Sequence, residues 1–164
     1  MNCAYETSWP ADQRVQVIAI VTPNHVHAAP TTAELEAGFY VVLDKPLCIS
    51  MVEALAIETA AKNAKGLFCL THTYTGYPMV KEAKYQNASG ALGRVRKIYV
   101  EYPQGWLSSF LESEGQTQAA WRTDPTKSGK VGAMGDIVTH AVNLAEYVSG
   151  KYHHGGVCPA QYCS

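Results

Sequence analysis

Apolar positions in this chain fall into three short, nearly unbroken runs separated by two stretches of helical periodicity. Val15–Val21 is β-branched and apolar almost throughout, the pattern of a strand covered on both faces. Thr22-Pro23-Asn24 ends it, because proline cannot donate to a ladder, and Asn24 is of the type that caps a following helix. Residues 25–37 then predict a helix stopped by Gly38, with Pro30 tolerated only near its start. Phe39–Leu43 is the second apolar run. Ser50-Met51-Val52-Glu53 is a capping box heading a helix to about Lys65, whose stripe is Val52, Leu55, Ala56, Thr59 and Ala60. Gly66 ends that helix and Leu67–Thr71 is the third run. Strand, helix, strand, helix, strand, joined by connections of a few residues, is the rhythm of parallel βαβ units.

The rhythm changes near residues 72–76, where a domain boundary is expected. A helix over Pro78–Ser89 ends at Gly90, a longer strand covers Arg94–Tyr102, and a polar loop fills about 103–130. A last helix spans about 132–149. Met134, Ile137, Val138, Ala141, Ala145 and Val148 form its apolar stripe, while Asp136, His140, Asn143 and Tyr147 share an adjacent face. An ordinary solvated face is built from Lys and Glu. This one carries an acid, an imidazole, an amide and a phenol. A carboxylate one turn from a histidine orients the imidazole, the side chain best suited to exchange protons near neutral pH. A hydrogen-bonded surface pair is the simpler alternative.

Composition narrows the function classes. Of 164 residues, 47% are apolar, enough for a sizeable core, and only 16% are charged, against roughly 25% in ordinary globular chains. Thirteen basic and fourteen acidic side chains give a net charge of −1, which speaks against a nucleic-acid footprint or a polybasic membrane patch. No apolar run approaches a spanning helix and Met1–Asp12 has no signal-peptide pattern, so a cytoplasmic protein is expected. Five cysteines, an odd and widely spaced set, argue against a disulfide framework. His153, His154, Cys158 and Cys163 are four potential zinc ligands, but their spacing matches no common zinc module. His25 and His27, two residues apart without a nearby carboxylate, shape a loop more readily than they hold a metal.

In an open parallel sheet, ligands bind at the carboxyl ends of the strands. Thr22–His27, Asp44-Lys45-Pro46 and Thr71–Tyr74 fall there. Proline restricts the backbone of Lys45, so its ammonium can be aimed into a cleft, although a solvated turn is the plainer reading of an isolated Asp-Lys-Pro. Trp121-Arg122 offers a planar face and a guanidinium to an anionic or aromatic ligand, or simply packs its loop.

Three blocks in register resemble the Gfo/Idh/MocA family of NAD(P)-dependent oxidoreductases. They are Val17–Asn24 with His25 and His27; Glu36-Ala37-Gly38 leading to Val42-Leu43-Asp44-Lys45-Pro46; and Gly135-Asp136-Ile137-Val138-Thr139-His140 with Asn143-Leu144. The resemblance covers about residues 15–150 and implies an α/β fold: an incomplete Rossmann-type parallel sheet over 1–74, then the start of an α+β substrate domain with a mostly antiparallel sheet over 75–150. Residues 151–164 are an unassigned tail.

The implied reaction is hydride transfer between NAD or NADP and a hydroxyl or carbonyl carbon of a sugar, inositol or related polyol, by enzymes that form homo-oligomers at full length. By position, Lys45, Asp136 and His140 would be catalytic. Thr22, Pro23, Asn24, His27, Asp44, Lys45, Pro46, Trp121 and Arg122 would bind cofactor, and Lys45, Tyr74, Asp136 and His140 would bind substrate. Asp44 replaces the more usual glutamate of the family's Glu-Lys-Pro motif, Val138 stands where glycine is frequent, and His72 and Tyr74 replace an arginine-containing segment. The family's opening strand and G-x-G-x-x-G turn are not found before Val15, and residues 1–14 contain no glycine. The chain is therefore expected to be a fragment of such a dehydrogenase. The alternatives are a non-catalytic binder of a sugar-like ligand and a tail-dependent metal module.

Overall fold

The computed structural model describes residues 10–103, 105, 109, 111–128 and 134–151. The chain divides into two compact units, Met1–Thr71 and His72–Ser164. No described helix is long and apolar enough to cross a membrane.

The first unit is a three-stranded parallel sheet in the order β1 (Val17–Ile20), β2 (Tyr40–Leu43), β3 (Phe68–Leu70). Ile18 stands opposite Val41, and Val41 opposite Phe68. Helix α1 (Ala28–Glu36) links β1 to β2 and helix α2 (Met51–Asn63) links β2 to β3. Ser50 caps α2 by accepting from the Glu53 N–H at 3.3 Å, and the Glu53 carboxylate reaches back to the Ile49 N–H at 3.0 Å. One orphan donor of the first turn and the N–H just ahead of the cap are thereby used. Gly38 adopts φ +93°, the left-handed stop expected after α1. Asn24 caps nothing with its side chain: it opens a single 3-10 turn, Asn24–Val26, and its carbonyl accepts from the His27 N–H at 3.2 Å.

Ile20, Leu35, Val41, Leu43 and Ala60 make the core, with Leu43 fully buried. The sequence pattern suggested strands covered on both faces, whereas Val17, Val21 and Tyr40 are exposed. Leu35 of α1 and Ala60 of α2 pack with Ile20, Val41 and Leu43 on one face of the sheet, and the face that carries Val17 and Tyr40 is the more exposed one.

The second unit contains α3 (Pro78–Ala88), α4 (Thr117–Thr123), α5 (Pro125–Ser128) and α6 (Thr139–Ser149). Pro78 stands at the start of α3, where a missing N–H costs nothing. Helices α3 and α6 are joined by the Asn87 amide donating to the Ser149 carbonyl at 3.0 Å and by the Lys84 ammonium 4.0 Å from the centre of the Tyr147 ring. Tyr147 is thus taken up in helix packing. Gly150 ends α6 at φ +67°. The segment Met134–Val138 ahead of α6 is a π-helix, a form that inserts one residue into the helical repeat.

Two expectations are corrected. Residues 94–102 form no strand, so no antiparallel sheet exists among the described residues. Their alternating pattern suits a ladder, but a strand needs a neighbour to bond to, and none pairs with it here. Part of the expected loop is helical instead: Asp124 accepts from the Thr126 N–H at 2.9 Å and hydroxyl at 2.6 Å, which starts α5.

Candidate active site

The carboxyl ends of the three strands carry the first group of candidate residues. Lys45, half-buried, follows β2 and precedes Pro46 through a cis peptide bond. Its backbone N–H donates to Asp44 Oδ1 at 2.9 Å, and the same oxygen accepts from the Thr71 hydroxyl at 2.9 Å. The Asp44 carboxylate therefore ties the end of β2 to the end of β3. Thr22 is exposed and its hydroxyl reaches the Val26 carbonyl at 3.4 Å. Pro23 is half-buried, and Asn24 and Pro46 are buried.

His27, assigned by resemblance to the cofactor cleft, is completely buried, with Nδ1 2.8 Å from the Pro46 carbonyl oxygen and Nε2 2.8 Å from that of Thr22. Both partners are acceptors, so the ring donates from whichever nitrogen is protonated, and from both when it carries two protons. A ring used up in this way on both edges has no nitrogen to offer a ligand.

The second group gathers around His140 in the second unit. His140 and Asp136 are both buried, at 8% and 9% exposure. The Tyr74 ring meets the imidazole edge-on with centroids 4.7 Å apart, and Tyr102 lies nearly parallel to it at 17° and 6.1 Å. His72 adds a second edge-on contact at 5.9 Å. The hydroxyls of Tyr74 and Tyr102 are hydrogen-bonded to each other. That bond pushes the Tyr74 phenol up to about 12, with burial and the nearby Tyr102, Tyr77 and Asp136 acting in the same direction. Asp136 Oδ2 accepts from Arg122 Nε at 3.0 Å, a charge-assisted bond between two largely buried groups. Helix α4 thus delivers Arg122 to the π-helical turn that carries Asp136.

Chemically, this cluster is an imidazole held on edge and face by aromatic rings, beside a carboxylate fixed by a guanidinium. Sequence reasoning named His140, Asp136, Tyr74 and Arg122. It missed Tyr102, which was read only as the last residue of a strand, and it had no signal for the Arg122–Asp136 pair. The Trp121 side chain, Gly132, and the tail residues His153, His154, Cys158 and Cys163 lie outside the described residues. Among those described, no three His, Cys, Asp or Glu side chains are grouped as a metal site.

Comparison with known proteins bears on both groups. The oxidoreductase family with an NAD-binding Rossmann fold matches residues 5–72, and the GFO/IDH/MocA C-terminal domain matches residues 80–154. The chain belongs to the Gfo/Idh/MocA oxidoreductase family. It is 32% identical over 141 residues to levoglucosan dehydrogenase of Pseudarthrobacter phenanthrenivorans, across 86% of this chain and 35% of that protein. An inositol dehydrogenase homolog complexed with NAD+ from Azotobacter vinelandii superposes with a TM-score of 0.81 at 34% identity, over 88% of this chain and 36% of the other. Levoglucosan dehydrogenase in complex with NADH and levoglucosan gives a TM-score of 0.74 at 32% identity, over 83% and 35%. The chain spans about a third of the length of these Gfo/Idh/MocA relatives.

A dinucleotide makes two separate demands on such a fold. At the strand ends, the Lys45 ammonium is a donor of the kind that ribose hydroxyls and a nicotinamide carboxamide would accept, whereas the Thr22 hydroxyl already donates to the Val26 carbonyl. A pyrophosphate needs backbone N–H groups at a glycine-rich turn opening a helix. The β1–α1 connection holds no glycine between Val21 and Ala28, and Pro30 removes one N–H from the first turn of α1. Among the described residues, no glycine-rich turn opens a helix as a pyrophosphate cradle would require.

Proposed function

We propose that this chain carries the nicotinamide-proximal residues of an NAD- or NADP-dependent oxidoreductase acting on a hydroxyl or carbonyl carbon of a sugar, inositol or related polyol. The observation that carries this reading is the enclosure of His140 by Tyr74 and Tyr102 beside an Asp136 fixed by Arg122. Bound nicotinamide would supply the hydride acceptor or donor.

In the oxidative direction His140 takes the proton of the substrate hydroxyl as its carbon loses hydride, and returns it in the reverse direction. Asp136, restrained by Arg122, accepts from a second substrate hydroxyl or orients His140. Tyr74 places a phenol among polyol hydroxyls. From unit 1, Lys45 hydrogen-bonds substrate and nicotinamide ribose, while Thr22, Pro23, Asn24, Asp44 and Pro46 form the cofactor-facing strand ends. Trp121 and Arg122 contribute near the nicotinamide. Relatives solved with NADH and levoglucosan and with NADH and myo-inositol support this substrate class.

The test pairs calorimetric titration of the folded chain with NADH and NADPH with absorbance at the reduced-nicotinamide band, using levoglucosan, myo-inositol and simple hexoses. Binding of one cofactor, with turnover lost in His140→Ala, is the expected result. A well-folded chain that binds neither cofactor refutes catalysis. Polyol binding that is indifferent to NADH would instead establish a binder without turnover.

A further inference from the structure

We propose that His27 is a positioning residue for Lys45, an inference that rests on the role given to Lys45 above. Lys45 sits at the midpoint of a chain of bonds that stitches the three strand ends together. Upstream, its N–H is held by Asp44 Oδ1 at 2.9 Å, and that oxygen is held by the Thr71 hydroxyl beyond β3 at 2.9 Å. Downstream, the carbonyl of the very next residue, Pro46, lies 2.8 Å from His27 Nδ1, and the Thr22 carbonyl beyond β1 lies 2.8 Å from the opposite edge of the same ring, so a neutral imidazole donates to one of them and a doubly protonated one to both.

The lysine backbone is therefore braced from both flanking strands, on one side by a carboxylate and on the other by an imidazole. The imidazole is rigid and planar, its nitrogens lie on opposite edges, and it is completely buried. His27 acts through the corner it fixes.

The experiment uses the full 164-residue chain, 15N-labelled, as wild type, His27→Phe and His27→Gln. Phenylalanine keeps the ring volume without donors, and glutamine restores one donor. In His27→Phe, amide exchange at Lys45 is expected to quicken about tenfold while Val41 and Ile57 exchange as in wild type, since a local opening is released rather than the fold. NADH affinity is expected to fall in parallel, and His27→Gln to recover part of both.

Unchanged exchange at Lys45 in folded His27→Phe would overturn the proposal. So would equal acceleration at Val41, Ile57 and Lys45, the mark of a merely structural role. Should His27→Phe fail to fold, His27→Gln decides by the same comparison. Selective acceleration at Lys45 in a chain that binds no NADH supports the brace and removes the functional reading alone.

Discussion

Gly66 is the position where one methyl group is expected to do most damage to the first unit. A Cβ built there would sit 2.1 Å from the Phe39 carbonyl oxygen, 2.6 Å from its carbon and 3.0 Å from the Tyr40 nitrogen. All three are backbone atoms, so no side chain can swing aside. Nor is Phe39 free to retreat, since its N–H is bonded to the Glu34 carbonyl at 3.0 Å and the Tyr40 N–H to that of Gln16 at 2.9 Å. Relief requires the two segments to part by about 1 Å. That stretches the Val41 N–H to Leu67 carbonyl bond, now 2.8 Å, beyond hydrogen-bond range.

One lost backbone bond costs about 1 kcal/mol and overpacking about 1–3 kcal/mol. Alanine returns about 0.5 kcal/mol by restricting the unfolded chain. Gly66→Ala should therefore cost about 1.5–3.5 kcal/mol, or about 3–14 °C in Tm for a chain of this size. Urea unfolding followed by circular dichroism measures the loss, and amide exchange at Val41 locates it. Gly76→Ala is the control, because a Cβ there meets nothing within 4 Å. If Gly66→Ala is no more costly than Gly76→Ala, or if Val41 keeps its protection, the reasoning about the β2–β3 approach is wrong.

Three other outcomes are expected. Arg122→Ala and Asp136→Ala should each destabilise the second unit by about 1.5–3 kcal/mol, and the double variant by clearly less than their sum, because the second loss removes a partner already gone; strict additivity in urea unfolding would dissolve the pair. Tyr74 holds its proton to about 12 against an ordinary phenol near 10, so the stabilisation this gives is complete below about pH 10 and lost as pH rises through about 12. Tyrosinate absorbance of wild type minus Tyr74→Phe should show that late midpoint, and a difference titration centred near 10 would contradict the Tyr102 bond. Cys69 is exposed whereas burial pushes the Cys48 thiol up, so iodoacetamide should label Cys69 first in a peptide map at neutral pH; faster labelling of Cys48 would refute the burial argument.

Where local chemistry alone decides an element, its residues announced it. Pro23 ends β1, Gly38 ends α1 in a left-handed conformation, and Ser50 with Glu53 starts α2, each through bonds within four residues. The candidate residues were legible one at a time for the same reason, since Asp136 and His140 lie on one helical segment and Lys45 beside a proline. Their company was not. Tyr74, Tyr102 and His140 meet across 28 and 38 residues of chain, and no periodicity reports a contact at that separation. Nor does a motif record that both ring nitrogens of His27 lie against backbone carbonyls, those of Pro46 and Thr22. Arg94–Tyr102 has the alternation of a strand, but alternation describes a face and cannot supply the neighbour that makes a ladder.

The π-helical turn at Met134–Val138 makes chain length itself a variable of the site. Substitution at Asp136 changes a group; deletion of a single residue from this turn would change an address. A shortened segment would wind as ordinary α-helix into α6, and the carboxylate would swing round the axis by the angle of one residue, about 100°, away from the Arg122 nitrogen it now meets at 3.0 Å. The pairing of Arg122 with Asp136 is thus conditional on a residue count as much as on two side chains. Deletion of Ile137 or of Val138, either of which keeps Asp136 in the chain, would read that condition directly.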